Sequence, residues 1–364
     1  MARRAFLHVG TAKSGTTYLH DLWWQHRETL RHRGLLLPGA VMRDHFVAAA
    51  VVKGMDALVS RLDEEQLRTW DRLLERSGEW SDDVLISHEH FSDSPPEAAA
   101  GALDRLAAVA DEVHLVLTVR DLGRVLPSAW QQRVKQGARQ PFGRFLGSAR
   151  RGDGEQKFWR YQDVPAILDR WTVGLPDERV HLVTVPPSGA PRDELWRRAG
   201  TVLGVEVTGL DTVPRLPNDS IGIVEAELLR RVNDRFPRER RSLDVTRYRK
   251  GAFTRDVLAG SAPAEPFVLP AKHHEWVRER AEAMVATLGE RSYDVVGDLD
   301  DLLPAAPLAG RTPEEADDAE LLDAATVVLD RLGVAPPEAL DDALELIAAE
   351  LLARTVPDPE PSRS

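Results

Sequence analysis

Cysteine is absent from the 364 residues, which excludes disulfides, thiolate metal sites and a cysteine nucleophile. Lysine is nearly absent, with 6 against 41 arginines, so each lysine calls for a reason. No apolar run approaches the roughly 20 residues that span a bilayer, and no signal-like apolar region precedes the first patterned segment. The expected location is therefore the cytoplasm, without a membrane partner. Positive charge is also in deficit: the formal net charge of −12 argues against nucleic acid, or any polyanion bound through overall charge, as a partner. Internal repeats are missing too. What remains is a chain of 43% hydrophobic residues, ample for a packed core.

Four short apolar runs stand out: "AFLHV" at 5–9, "VLIS" at 84–87, "VHLVLTV" at 113–119 and "VHLVTV" at 180–185. Helical spacing predicts helices between and after them, at 61–76, 96–109, 121–136 and 191–203. Continuous apolar strands alternating with helices imply an α/β fold with a parallel sheet covered on both faces, in which ligands bind beyond the carboxyl ends of the strands. We expect one α/β domain over 1–304 and an acidic helical extension over 311–354, its two amphipathic helices split by Pro336 and Pro337. That extension reads as packed on the sheet domain and outside the chemistry. A disordered tail is expected over 355–364.

The first run leads into "GTAKSGTTYL", a small-residue loop opening a helix from Ser14 to about Gln25. A strand-to-helix junction offers free backbone N–H groups and a helix dipole to a phosphate or sulfate. Gly10 and Gly15 let the backbone approach closely, Ser14, Thr16 and Thr17 add hydroxyls, and Lys13 supplies a charge. The nucleoside-triphosphate loop G-x-x-x-x-G-K-[ST] matches the glycines but puts lysine where Thr16 stands here. Arg120 directly follows the third run, with Ser128 on the helix that Pro127 is expected to help open, and the pair suits a second anion. The competing reading pairs Arg120 with Asp121 or a neighbouring carboxylate. After the second run, "SHEHF" places Glu89 between His88 and His90: a general base at a strand end, ordinary polar residues, or two metal-binding histidines lacking a third ligand.

Together these motifs resemble the sulfotransferases that use 3′-phosphoadenosine 5′-phosphosulfate (PAPS), and in particular uncharacterised actinobacterial members. "GTAKSGTTYL" is similar to their 5′-phosphosulfate loop, with Lys13, Ser14, Gly15, Thr16 and Thr17 in the binding positions. "TVRDLGRVLPSAW" is similar to their 3′-phosphate strand and helix, with Arg120 and Ser128 in the matching places. The resemblance covers about residues 4–210 and implies a P-loop-like sheet. Cytosolic members carry a later R-K-G that also touches the 3′-phosphate, and "YRKGAF" offers Arg249, Lys250 and Gly251; a charged helix start is the other reading of that segment. Trp159 and Tyr161 are candidates for stacking on adenine, against a core-packing reading of both. "YDVVGDLDDLLP" near 293–304 also resembles these members, and we read it as a turn at Asp298 to Asp301.

The resemblance implies transfer of a sulfuryl group from PAPS to a hydroxyl or amine of a small-molecule or glycan acceptor, leaving 3′-phosphoadenosine 5′-phosphate (PAP). Lys13 would stabilise the leaving phosphate and Glu89 would act as base, with no metal required. Two alternatives stay open: a P-loop kinase-like phosphoryl transferase, and a non-catalytic nucleotide-binding scaffold. The acceptor pocket is expected in the connection at 27–83 and the glycine-punctuated segment at 137–165.

Overall fold

The computed structural model describes residues 1–152, 156–215, 221–237, 242–263, 265 and 267–355. The expected tail lies outside the described residues from 356 onward. The backbone groups into two compact units, each drawn from three stretches of chain. The first takes Met1–Val125, Gln156–Pro217 and Glu275–Ala305; the second takes Leu126–Glu155, Asn218–His274 and Ala306–Ser364. These units cut across the expected linear division at 304 and 311.

The first unit holds a six-stranded, all-parallel sheet: β1 (Ala2–His8), β2 (Leu35–Leu36), β3 (Asp83–Ser87), β4 (Ala110–Val119), β5 (Val180–Thr184) and β6 (Asp294–Val296), in spatial order β2-β3-β1-β4-β5-β6. Alternation along β1 explains the unbroken apolar runs. Ala5, Leu7 and Val9 join a core with Ile86, Leu117, Trp70 and Trp171, while Phe6 joins Leu85, Val116, Trp23 and Trp196 in another. Both faces are thus covered by helices, which favours apolar side chains on both sides of the central strands. Because the chain leaves β3 on one side of β1 and returns as β4 on the other, the carboxyl end of β1 lies at a switch point, where such sheets bind ligands.

The four expected strands form. The two edge strands were missed because two or three residues carry no readable period. The helix expected over 61–76 is two pieces, Glu64–Leu67 and Thr69–Gly78. The helix after β4 spans Leu122–Lys135, so Pro127 lies inside it and does not open it. Asp121 does the opening: its carboxylate accepts from the Arg124 backbone N–H at 2.9 Å.

In the second unit the acidic segment forms the helices Asp318–Leu332 and Leu340–Ala353, the first ending at Gly333 in the left-handed region (φ 76°). They share the unit with the helix Ile223–Arg235 and are tied to it, for example by Arg231 to Asp318 at 2.7 Å.

The "YDVVGDLDDLLP" segment is structural. It supplies β6 and then a 3-10 turn, Leu299–Leu302, capped by Asp298 as expected. Thr184, at the end of β5, donates to Asp301 at 2.7 Å, and Arg198 reaches the same carboxylate at 2.5 Å. Gly297 (φ 112°) sits so tightly here that a Cβ would fall 2.1 Å from Thr184 Oγ1, so only glycine is admitted.

Candidate functional site

The loop after β1 is held at its start by β4. Thr11 N donates to Thr118 O (2.7 Å) and Thr118 N to Gly10 O (2.6 Å). Gly10 (φ 110°) presses against Glu89, whose Cα would lie 3.1 Å from an added Cβ, and Gly15 (φ 85°) presses against Leu195. Lys13 takes a left-handed conformation (φ 66°), which costs a non-glycine residue roughly 1–3 kcal/mol and is typical of ligand-binding turns. The helix Thr16–Gln25 starts at Gly15 with no side-chain cap bond, so its first N–H groups are open to an anion. The three hydroxyls differ in their placing. Ser14 and Thr16 are buried and Thr17 is exposed, and Ser14 Oγ donates to Thr11 O (2.5 Å) and meets Thr118 Oγ1 (2.7 Å).

Behind the loop runs a buried chain of hydroxyls and imidazoles. Thr118 Oγ1 meets His8 Nε2 (3.1 Å), His8 Nδ1 meets Ser87 Oγ (2.6 Å), and Ser87 Oγ meets His20 Nε2 (2.6 Å). The Ser87 backbone N–H donates to His45 Nδ1 (3.3 Å). Burial pushes His8 down to about 3 and His45 to about 4, and lowers His20 as well. All three rings are therefore neutral at pH 7. Because their folded values lie below the usual 6.5, the unfolded chain takes up more protons as pH falls, and stability declines between about pH 6.5 and pH 4. Urea midpoints measured from pH 7 to pH 5.5, where unfolded carboxylates stay largely ionised, should fall progressively; a flat profile would contradict the buried row.

Glu89 opens a 3-10 turn, Glu89–Asp93, directly after β3, and His88 caps it by accepting from the His90 N–H at 3.1 Å. Burial opposes the charge on Glu89, but the imidazoles of His88, His20 and His90 outweigh it and hold the carboxyl at about 2. Burial pushes His88 to about 3, so at neutral pH the site presents a carboxylate beside a neutral ring. Its carboxylate lies 3.9 Å from His88 Nδ1 and keeps 28% of its side chain exposed. The rings on either side of it in the chain, His88 and His90, stack at 5.0 Å, and Phe46 lies 5.2 Å from His88. At the far end of the turn, Asp93 binds Lys53 (2.6 Å) and Arg160 (2.6 Å). Among the described residues no cluster suited to a metal is present.

Arg120 reaches the loop, its Nη1 donating to Lys13 O at 3.3 Å. Asp121 is taken by Arg124, so the expected competitor for Arg120 is engaged elsewhere. Burial, followed by the neighbouring Arg124, lowers Arg120 to about 10, which leaves it cationic. Its Nε is buried with no hydrogen-bond partner, a donor awaiting an acceptor.

The first unit thus brings together Lys13, Ser14, Gly15, Thr16, Thr17, Glu89 and Arg120. Ser128, Arg249, Lys250 and Gly251 fall in the second unit. There Arg249 is 2% exposed, donates to Lys135 O (3.1 Å) and lies over Phe236, in a π-helical stretch Arg249–Leu258. Of the two aromatic candidates, Trp159 lies under Arg280 at 4.8 Å, and the Tyr161 hydroxyl accepts from Lys53 at 2.6 Å. The sequence reading passed over Tyr18. It lines a cavity of about 240 Å³ with Val185, Pro186, Pro187, Pro191 and Leu195. That cavity adjoins the loop twice, through Tyr18 after Thr17 and through Leu195 against Gly15. An aromatic residue immediately following the loop was the available signal.

No protein-family model, curated protein or solved structure matches the chain.

Proposed function

We propose that this chain is a PAPS-dependent sulfotransferase. One observation carries the reading: a strained, lysine-bearing anion loop, an arginine with a buried unpartnered donor and an ionised carboxylate converge at the carboxyl ends of three adjacent strands. In this reading the loop N–H groups and Lys13 hold the 5′-phosphosulfate, Arg120 takes the 3′-phosphate, and the cavity beside Tyr18 takes the adenine. The acceptor is a small molecule or a glycan, and the aromatic rim of Phe46, His88 and His90 borders its approach.

Transfer forms a bond between the acceptor oxygen or nitrogen and sulfur, and breaks the bond from sulfur to the bridging phosphate oxygen. Glu89 takes the acceptor's proton, while Lys13 and the loop N–H groups meet the charge left on the phosphate. A loose transition state asks mainly for positioning and charge stabilisation.

Calorimetry with PAP, ADP and ATP, each with and without Mg²⁺, tests this. PAP should bind without metal and more tightly than ADP, because only PAP carries a 3′-phosphate. Losing one charge-assisted contact costs about 1.5–3 kcal/mol, so Arg120→Ala should weaken PAP by roughly tenfold or more. Equal affinity for PAP and ADP would end the two-anion reading. Mg²⁺-dependent ATP binding would favour a phosphoryl transferase, and PAP binding without turnover a nucleotide-binding scaffold.

A further inference from the structure

Three consecutive carbonyl groups of the anion loop are each taken by a side chain. Ser14 Oγ donates to Thr11 O (2.5 Å), Gln162 Nε2 to Ala12 O (2.7 Å) and Arg120 Nη1 to Lys13 O (3.3 Å). In a planar trans peptide the C=O and the following N–H point in opposite directions. Holding these carbonyls therefore turns the N–H groups of Ala12, Lys13 and Ser14 away from the three holders. A loop peptide free to rotate would present its carbonyl oxygen to an anion part of the time, which repels where the N–H attracts. Preorganised donors avoid that cost.

Two of the holders belong to the anion site itself, Ser14 within the loop and Arg120 beside it. Gln162 belongs to neither. It ends the helix Gln156–Gln162 and is 5% exposed. The residues before it are anchored to other elements: Arg160 Nε lies 2.6 Å from Asp93 Oδ1, and the Tyr161 hydroxyl accepts from Lys53 at 2.6 Å. The residue after it, Asp163, caps the next helix through the Ala166 N–H at 3.3 Å. The amide of Gln162 thus extends to the loop from a backbone fixed on both sides.

We propose that Gln162 is a positioning residue of the anion loop, holding the Ala12 carbonyl so that the Lys13 N–H faces the 5′-phosphate of the nucleotide. This rests on the sulfotransferase reading above. Gln162 touches no reacting atom and acts through one peptide plane. The same short stretch, through Arg160 and Tyr161, also braces the Glu89–Asp93 turn, so loop and base are set from one strut.

The test uses the full chain, calorimetry, and two ligands differing at one group: PAP, and adenosine 3′-monophosphate, which lacks the 5′-phosphate. Gln162→Leu removes the donor, and the isosteric Gln162→Glu sets a carboxylate against the carbonyl. PAP affinity should fall about tenfold in the first and further in the second, the scale of one buried carbonyl left unsatisfied. Adenosine 3′-monophosphate should bind both variants as it binds the wild type. Equal losses for the two ligands would reduce Gln162 to a structural role. Unchanged PAP affinity in either folded variant would overturn the proposal outright. A wild-type protein that binds neither nucleotide would instead remove the sulfotransferase reading, and this inference with it.

Discussion

Glu89→Gln should lower transfer to a hydroxyl acceptor by about 10²–10⁴ while PAP affinity stays essentially unchanged, because glutamine keeps the size and polarity of the side chain but accepts no proton. The structure sharpens this expectation. With its carboxyl near 2, Glu89 is ionised throughout the working range, so the acid limb of kcat/KM should stay flat down to about pH 4. His88→Ala and His90→Ala should cost far less, since burial holds His88 neutral and its Nδ1 already accepts from the His90 N–H. Steady-state rates of the three variants decide the matter. A near-normal Glu89→Gln enzyme beside a dead histidine variant moves the base to that imidazole, and inhibition by chelators revives a metal.

Lys13→Ala should cut turnover by about 10²–10³, the effect of removing one preorganised stabiliser of developing charge. Lys13 is one of six lysines in the chain and sits in the left-handed region at φ 66°. Alanine bears that backbone conformation no better than lysine does, so the variant tests the ammonium group rather than the turn. Lys13→Arg should rescue only in part, because a planar fork replaces a point charge. Single-turnover rates at saturating PAPS separate this from a binding defect. A Lys13→Ala enzyme within threefold of wild type would remove the electrostatic role.

The central sheet was legible because β1, β3, β4 and β5 are buried on both faces and therefore carry short apolar runs, even though His8, Ser87 and Thr118 stand among them. The anion loop was legible because its backbone needs glycine at Gly10 and Gly15, where φ is positive. Other features left no local trace. β2 and β6 have two and three residues, too few for a period. Gln162 acts from 150 residues away along the chain, and nothing around "RYQDV" marks its amide. The grouping of the acidic helices with Ile223–Arg235 follows from pairs such as Arg231 with Asp318 and Arg235 with Asp341, which a linear reading cannot foresee. The Arg249 motif shows the reverse case, a legible pattern whose arginine lies beneath Gly137, where an added Cβ would meet its guanidinium at 2.3 Å.

The interleaving of the two units bears on how the chain folds as it leaves the ribosome. β1 is the first strand synthesised and takes a central place, yet its register with β3 joins residues 79 positions apart, Arg4 and Asp83. Its other neighbour begins at Ala110, and β6 closes the sheet only at Asp294. Until β3 and β4 emerge, β1 waits in the nascent chain with two open edges, and stretches of the second unit then emerge between β4 and β5 and between β5 and β6. Such long-range parallel pairing is intrinsically slow and exposed to misassociation. Synthesis rate and chaperone access should therefore govern the yield of this protein more than the stability of its finished fold.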